Sequence, residues 1–177
     1  KRHAEEDRDV ELILDEVSAA YPWELLDDRF GSKEAPMAVR SSCIRRFVDT
    51  NSGFRASLSR ERKAVVIGDS VSDPAMFAPL EGAQKEAHAV TEILESGSEP
   101  FEVTSIVQGS CAGITNAILT TSSRVMHIAA HGVFEMPRTA PDGTKDTVTG
   151  IVLGDGAYFT AAEVGQIRPF PELVFLN

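Results

Sequence analysis

Between residues 63 and 129 short apolar runs alternate with helical periodicity, and this alternation restricts the fold more than any other feature of the chain. Ala64-Val-Val-Ile67 is an apolar run bounded by Lys63 and Gly68, the pattern of a strand buried on both faces. Glu81 to Ser96 places Ala83, Ala87, Val90, Ile93 and Leu94 on one helical face, and Gly97 is positioned to stop it. A strand over Phe101 to Val107, a short helix over Ala112 to Thr121 and a strand over Val125 to Ala129 follow. Strand, helix, strand, helix, strand predicts an α/β fold with a mostly parallel sheet flanked by helices on both faces. In such sheets functional groups collect in loops at the carboxyl ends of strands. Three places qualify: the loop Gly68-Asp-Ser-Val-Ser-Asp-Pro74, the His131-Gly132 corner, and whatever follows Asn177.

The rest of the chain divides around this block. Residues 63–177 form one domain, residues 1–48 a small N-terminal α+β subdomain, and the polar, aperiodic stretch 49–62 is read as a linker. In the subdomain, Val10, Ile13, Leu14 and Val17 predict a helix over Glu5 to Ala20, stopped by Pro22. Tyr21-Pro-Trp-Glu-Leu-Leu26 predicts a short helix packed on the core, and Met37 to Val48 reads as strand around Val39, Ile44, Phe47 and Val48. Downstream, Ile151-Val-Leu153 and Ala157-Tyr-Phe159, joined by Gly154-Asp-Gly156, predict a hairpin. Thr160 with Glu163 three residues on forms a capping box for a short helix. Leu173 to Leu176 is a last strand, and Glu135 to Thr149 a long loop, either an activation loop or a disordered one.

Composition removes several function classes. Seventeen basic against 27 acidic residues, a net charge of −10, disfavours non-specific binding to nucleic acid, which depends on neutralising phosphates. No stretch reaches the roughly 20 apolar residues of a membrane helix. Lys1 to Asp9 is rich in charge, unlike a secretory signal, and with no initial Met the chain is expected to be a piece of something longer. Cys43 and Cys111 lie far apart, so a disulfide is not expected and a reducing cytoplasm is. Neither Cys-x-x-Cys nor His-Glu-x-x-His spacing occurs, so no metal is expected.

The candidate chemistry centres on His131. A histidine on a strand-end loop can be partly exposed and can serve as general base for a thiol or hydroxyl. Gly132 lets the chain turn there and present its own N–H. His127, mid-strand, reads as a buried, hydrogen-bonded residue, and His3 and His88 as surface residues. Cys43 reads as a small buried hydrophobe. Cys111 sits just before the expected Ala112–Thr121 helix, a position where a thiol can become reactive, yet it follows the wrong strand to meet His131.

Arg124-Val-Met-His-Ile-Ala-Ala-His-Gly132 resembles the histidine motif of CHAT domains, caspase-like relatives found beside repeat or sensor modules. Thr149-Gly-Ile-Val-Leu-Gly-Asp-Gly-Ala-Tyr-Phe-Thr-Ala-Ala-Glu-Val164 is similar to their hairpin-then-helix segment, and Pro171-Glu-Leu-Val-Phe-Leu-Asn177 to the strand that leads into their catalytic cysteine. Pro22-Trp-Glu-Leu-Leu26 is similar to a segment preceding this domain in bacterial members. The resemblance implies a caspase-like sheet and a cysteine endopeptidase working through a cysteine–histidine dyad without cofactor. His131 would assist the thiolate and protonate the leaving amine, and the Gly132 N–H would help form the oxyanion hole. Asp69, Ser70 and Asp73 would border the pocket for the side chain before the cut, the two aspartates selecting Arg or Lys. The nucleophile is expected just beyond Asn177, which leaves these 177 residues alone inactive. The partners implied are a protein or peptide substrate and a regulatory repeat or sensor module in the same or another chain, with no direct contact to nucleic acid or membrane.

Two rival readings stand beside this one. A CHAT-like domain can be a non-catalytic assembly or binding module. Alternatively, Val66-Ile-Gly-Asp-Ser-Val-Ser72 resembles the Gly-Asp-Ser block of SGNH esterases, with Ser70 as nucleophile. That class also needs a Gly-x-Asn block and an Asp-x-x-His segment; Asn116 and Asn177 lack the glycine, and His131 lacks the aspartate.

Overall fold

The computed structural model describes residues 10–15, 17–25, 39, 42–47, 57–139, 143–154 and 156–177. The chain forms two compact units, Lys1–Phe54 and Arg55–Asn177. The division falls within the 49–62 stretch, whose described end belongs to the second unit: Leu58 bridges Phe170, and the buried Ser59 places its Oγ 2.9 Å from Ser122 O.

In the first unit the helix expected over Glu5 to Ala20 is replaced, in its described part, by a strand. β1 (Val10–Leu14) pairs in parallel with β2 (Cys43–Phe47), from Val10 opposite Cys43 to Leu14 opposite Phe47. Val10, Leu12 and Leu14 take the more buried face, and Glu11 and Ile13 the exposed one. The apolar positions suit either period, and the ladder offered by β2 decides between them. The strand ends where Asp15 and Ser18 bond each other, Ser18 N to Asp15 Oδ1 at 2.7 Å and Asp15 N to Ser18 Oγ at 2.9 Å. The helix expected at 21–26 is a single 3-10 turn over Trp23–Leu25, with Tyr21 and Leu25 exposed and Trp23 Nε1 donating to Ser18 O.

The second unit is built on a parallel sheet of order β4-β3-β5-β9, formed by β3 (Lys63–Ser70), β4 (Glu102–Gly109), β5 (Val125–Ala129) and β9 (Leu173–Leu176). Ala64 to Ser70 of β3 is buried throughout, which is why its sequence shows no alternation. Val65, Ile67, Met126 and Ile128 meet Ile114, Ala117 and Ile118 of α2 (Cys111–Thr120) on one face, with Leu153 and Phe159 completing that core. The other face, including Gly68, receives α1 (Glu81–Ser96), so helices cover both faces as expected.

β3 runs three residues further than the apolar run suggests, through Gly68, Asp69 and Ser70 of the expected loop. Gly68 permits this, because α1 passes directly over it: a Cβ at this position would lie 2.3 Å from Ala87 Cβ and 2.9 Å from Ala83 O. Gly68→Ala is expected to destabilise the domain by about 1–3 kcal/mol, the usual range for overpacking. An unchanged denaturation midpoint would show that α1 is free to lift.

A second, antiparallel sheet has the order β6-β7-β8, with β6 (Gly132–Thr139), β7 (Lys145–Gly154) and β8 (Ala157–Phe159). The expected hairpin is present, with Ile151 opposite Phe159 and Val152 opposite Tyr158. The expected loop over Glu135 to Thr149 is instead mostly the β6–β7 hairpin, pairing Thr139 with Lys145 and Met136 with Val148. Pro137 obscures this strand in the sequence, yet β6 is an edge strand, where a residue without an N–H is tolerated. The capping box forms at α3 (Ala161–Val164), with Thr160 N donating to Glu163 Oε2 at 2.9 Å and Ala162 N to Thr160 Oγ1 at 3.2 Å.

Candidate active site

The sheet reverses its direction of growth between β3 and β5. From β3 the chain steps outward to β4, then crosses back over β3 to β5. At such a reversal the neighbouring helices leave on opposite faces, and a crevice opens at the carboxyl ends of the central strands. β3 ends there with Asp69 and Ser70, and β5 with Ala129, followed by Ala130, His131 and Gly132.

His131 is half-buried. Its Nε2 lies 2.7 Å from Ala78 O, in the segment leading into α1, and its ring meets Phe77 with centroids 5.3 Å apart. A carbonyl oxygen only accepts, so in the neutral ring this contact puts the proton on Nε2 and leaves the Nδ1 lone pair available. Neither Ala78 nor Phe77 was singled out from the sequence. A main-chain carbonyl carries no side-chain signature, and only the path of residues 71–80 back across the crevice brings it to His131.

Gly132 begins β6. Val152 N donates to His131 O at 2.8 Å, which makes Gly132 and Ile151 a pair that does not exchange ladder bonds. The N–H of such a residue turns away from the partner strand. For Gly132 that direction is toward the open edge of the β6-β7-β8 sheet.

β9 lies beside β5 in parallel register, from Val125 opposite Leu173 to Ile128 opposite Leu176. Asn177 N donates to Ile128 O at 3.0 Å, and Ala130 N to Asn177 O at 3.2 Å. The carboxyl end of β9 is therefore bonded to the residues immediately before His131. A cavity of about 210 Å³ lies here, lined by Ile128, Ala130, Gly132, Ile151, Leu176 and Asn177.

The three residues of the loop after Ile67 part company. Asp69 is 2% exposed, and its carboxylate accepts bonds from Ser70 N, Leu80 N and Gln84 Nε2 at 2.9, 3.0 and 3.1 Å. Ser70 is buried, with Oγ donating to Val152 O at 3.0 Å and lying 3.3 Å from Ser72 Oγ. A nucleophilic serine needs a base within hydrogen-bond reach, and neither of these partners is one. Asp73 is exposed and borders a second cavity of about 180 Å³, whose lining includes Met76, Phe77, Val152 and Tyr158. Phe77 is thus shared between this cavity and the His131 ring. Of the pair expected to make an acidic pocket, Asp73 alone faces one; the extension of β3 and the close approach of α1 turn Asp69 inward.

The other candidates lie elsewhere. Cys111 opens α2 beyond β4, and β3 separates β4 from β5. Cys43 is at the start of β2 in the first unit and is partly buried. His127 is buried, stacked on Phe175 with centroids 5.1 Å apart. Its Nε2 lies 3.1 Å from Glu86 Oε1 but off the hydrogen-bond direction, so this is a contact of charge or dipole and not the full bond expected. Among the described residues no cluster of His, Cys, Asp and Glu is placed to hold a metal ion, and no helix is long and apolar enough to cross a membrane.

The model of one family, described as CHAT domain, matches residues 5–177. No curated protein and no solved structure matches the chain.

Proposed function

The chain belongs to the CHAT-domain family, which is caspase-like and protease-related, and from that premise we propose that it forms the histidine-bearing part of a cysteine endopeptidase site. The observation supporting this reading is the bonding of Asn177 to Ile128 and Ala130, because a residue following β9 would then emerge beside His131 and Gly132. In this proposal a cysteine follows β9. Its thiol gives a proton to His131 Nδ1 and attacks the substrate carbonyl carbon. The oxyanion is held by the N–H groups of Gly132 and of the cysteine, a type of fixed donor that is often the largest single catalytic contribution. The carbon–nitrogen bond breaks as His131 protonates the departing amine, leaving a thioester. Water then gives a proton to His131 and attacks the thioester, releasing the acid and the thiol.

Substrate choice belongs to the same proposal. The cavity beside Phe77 carries Asp73 at its edge, with Tyr158 and Met76 as walls suited to a long aliphatic stem. It would take the Arg or Lys preceding the cut. A protein or peptide substrate, control by a neighbouring repeat or sensor module, and a cytoplasmic setting complete the reading.

The test is thiol-probe labelling of the protein continued past Asn177 in its natural sequence, with peptide cleavage read in the same samples. We expect labelling at a cysteine directly after the Leu173–Leu176 strand, and cuts after Arg or Lys. Labelling confined to Cys43 and Cys111, with no cleavage, would instead favour the assembly-module reading.

A further inference from the structure

We infer that Asp69 is a positioning residue that sets the tautomer and orientation of His131 through Leu80 and Ala78. The inference rests on the peptidase reading for its consequence in catalysis, though not for its geometry.

Asp69 is held in an unfavourable way. Its backbone φ is +65°, the left-handed region that side chains with a Cβ seldom adopt. Its carboxylate is almost fully buried, which is costly unless its lone pairs are matched by donors. Three donors match them, and they have different jobs. Ser70 N is the neighbouring residue, and Gln84 Nε2 comes from the first turn of α1. Leu80 N belongs to the N-cap of α1, which has no side-chain cap of its own. Asp69 therefore places a carboxylate at the positive end of α1 and fixes Leu80 in space.

One residue, Pro79, lies between Leu80 and Ala78. Its ring locks φ, so the Ala78 carbonyl is joined to a fixed point by a stiff connection. That carbonyl receives His131 Nε2 at 2.7 Å. The same segment is pinned at its other end, where Met76 N and Phe77 N both donate to Asp73 O at 2.9 Å, and Phe77 lies against the His131 ring. Asp69 is thus the buried anchor of a segment that touches His131 twice. The ordinary alternative is that Asp69 stabilises α1 and nothing more. The two differ in what happens to His131 when the carboxylate loses its charge and one acceptor.

The experiment is nitrogen-15 NMR of the histidine side chains at a pH where His131 is neutral, on this chain and on Asp69→Asn. Wild type should show His131 with a protonated Nε2 and a bare Nδ1. Asp69→Asn should show a mixture of the two tautomers. In the protein continued past Asn177, the same substitution should lower kcat by about 10²-fold with little change in KM, the scale of loss for a misplaced catalytic group. A folded Asp69→Asn whose His131 keeps a single Nε2–H tautomer overturns the inference and leaves Asp69 a helix anchor. If Asp69→Asn does not fold, Pro79→Gly decides, since it leaves Asp69 and its donors in place and loosens only the link from Leu80 to Ala78: a tautomer mixture supports the inference, and an unchanged tautomer overturns it. The two proposals fail separately. A tautomer shift with no peptide cleavage even by the wild-type protein sinks the peptidase and keeps the positioning. Cleavage that Asp69→Asn leaves untouched sinks the positioning and keeps the peptidase.

Discussion

Replacing His131 by alanine, in the protein continued past Asn177, is expected to lower kcat/KM for peptide hydrolysis by about 10²–10⁴-fold, the usual contribution of a positioned general acid–base. The reason lies in the two protons the proposed cycle moves, one from the thiol to Nδ1 and one from His131 to the leaving amine. With alanine the thiol stays protonated, and the amine must leave as a poor anion. Most of the loss should fall on kcat, because His131 is set against Ala78 and Phe77 and does not itself line the cavity that holds Asp73. Labelling by a thiol probe should fall with activity, since the thiolate is the reactive form. The fold should survive: the residue is half-buried and its ring bonds a main-chain carbonyl of an exposed segment. Activity within a few-fold of wild type would remove His131 from the chemistry altogether.

Gly154→Ala is expected to cost about 2–5 kcal/mol of stability, combining overpacking of about 1–3 kcal/mol with about 1–2 kcal/mol for a side chain in the left-handed region. Gly154 ends β7 with φ +96°, and a Cβ there would lie 2.1 Å from Val71 O. Val71 itself is held, its N donating to Gly109 O at 2.9 Å, so the carbonyl cannot retreat without loosening β4. The contact joins the second sheet to the end of β3, next to the cavity bordered by Asp73. Against a typical total of about 5–15 kcal/mol, such a loss is large. Gly156→Ala provides the contrast: its φ is +72°, but an added Cβ meets nothing within 4 Å, so only the backbone cost remains. In urea denaturation the midpoint should drop far more for Gly154→Ala than for Gly156→Ala, with the slope unchanged in both. Equal drops would mean that the Val71 contact relaxes freely.

Much of the second unit can be read directly from residue order. Val125 to Ala129 forms the predicted strand, His131 and Gly132 follow at its carboxyl end, and Leu173 to Leu176 forms the last strand. These succeed because a parallel strand buried on both faces needs a short, uninterrupted apolar run, and helices between such runs need one apolar face. The capping box at Thr160 is legible for a similar reason, as both of its partners lie within one turn. Reading fails where the partner is distant or the pattern is shared. Val10 to Leu14 suits helix and strand alike until Cys43 to Phe47 pairs with it. The β6–β7 hairpin is hidden by Pro137, which only its edge position makes acceptable.

The sequence by itself determined the α/β class, the strands that bear the candidate site and the histidine at its centre, because each depends on periodicity and composition over a few neighbouring residues. Only the tertiary structure decided which groups surround that histidine. It set Ala78 O against Nε2, turned Asp69 inward while leaving Asp73 at a cavity, and brought Asn177 beside Ala130. Those outcomes rest on a helix lying close over Gly68, on main-chain carbonyls without side-chain signatures, and on strand neighbours nearly fifty residues apart, as in the pairing of Val125 with Leu173. Such relations exist once the sheet is assembled and the helices have docked, and local chemistry along the chain does not encode them.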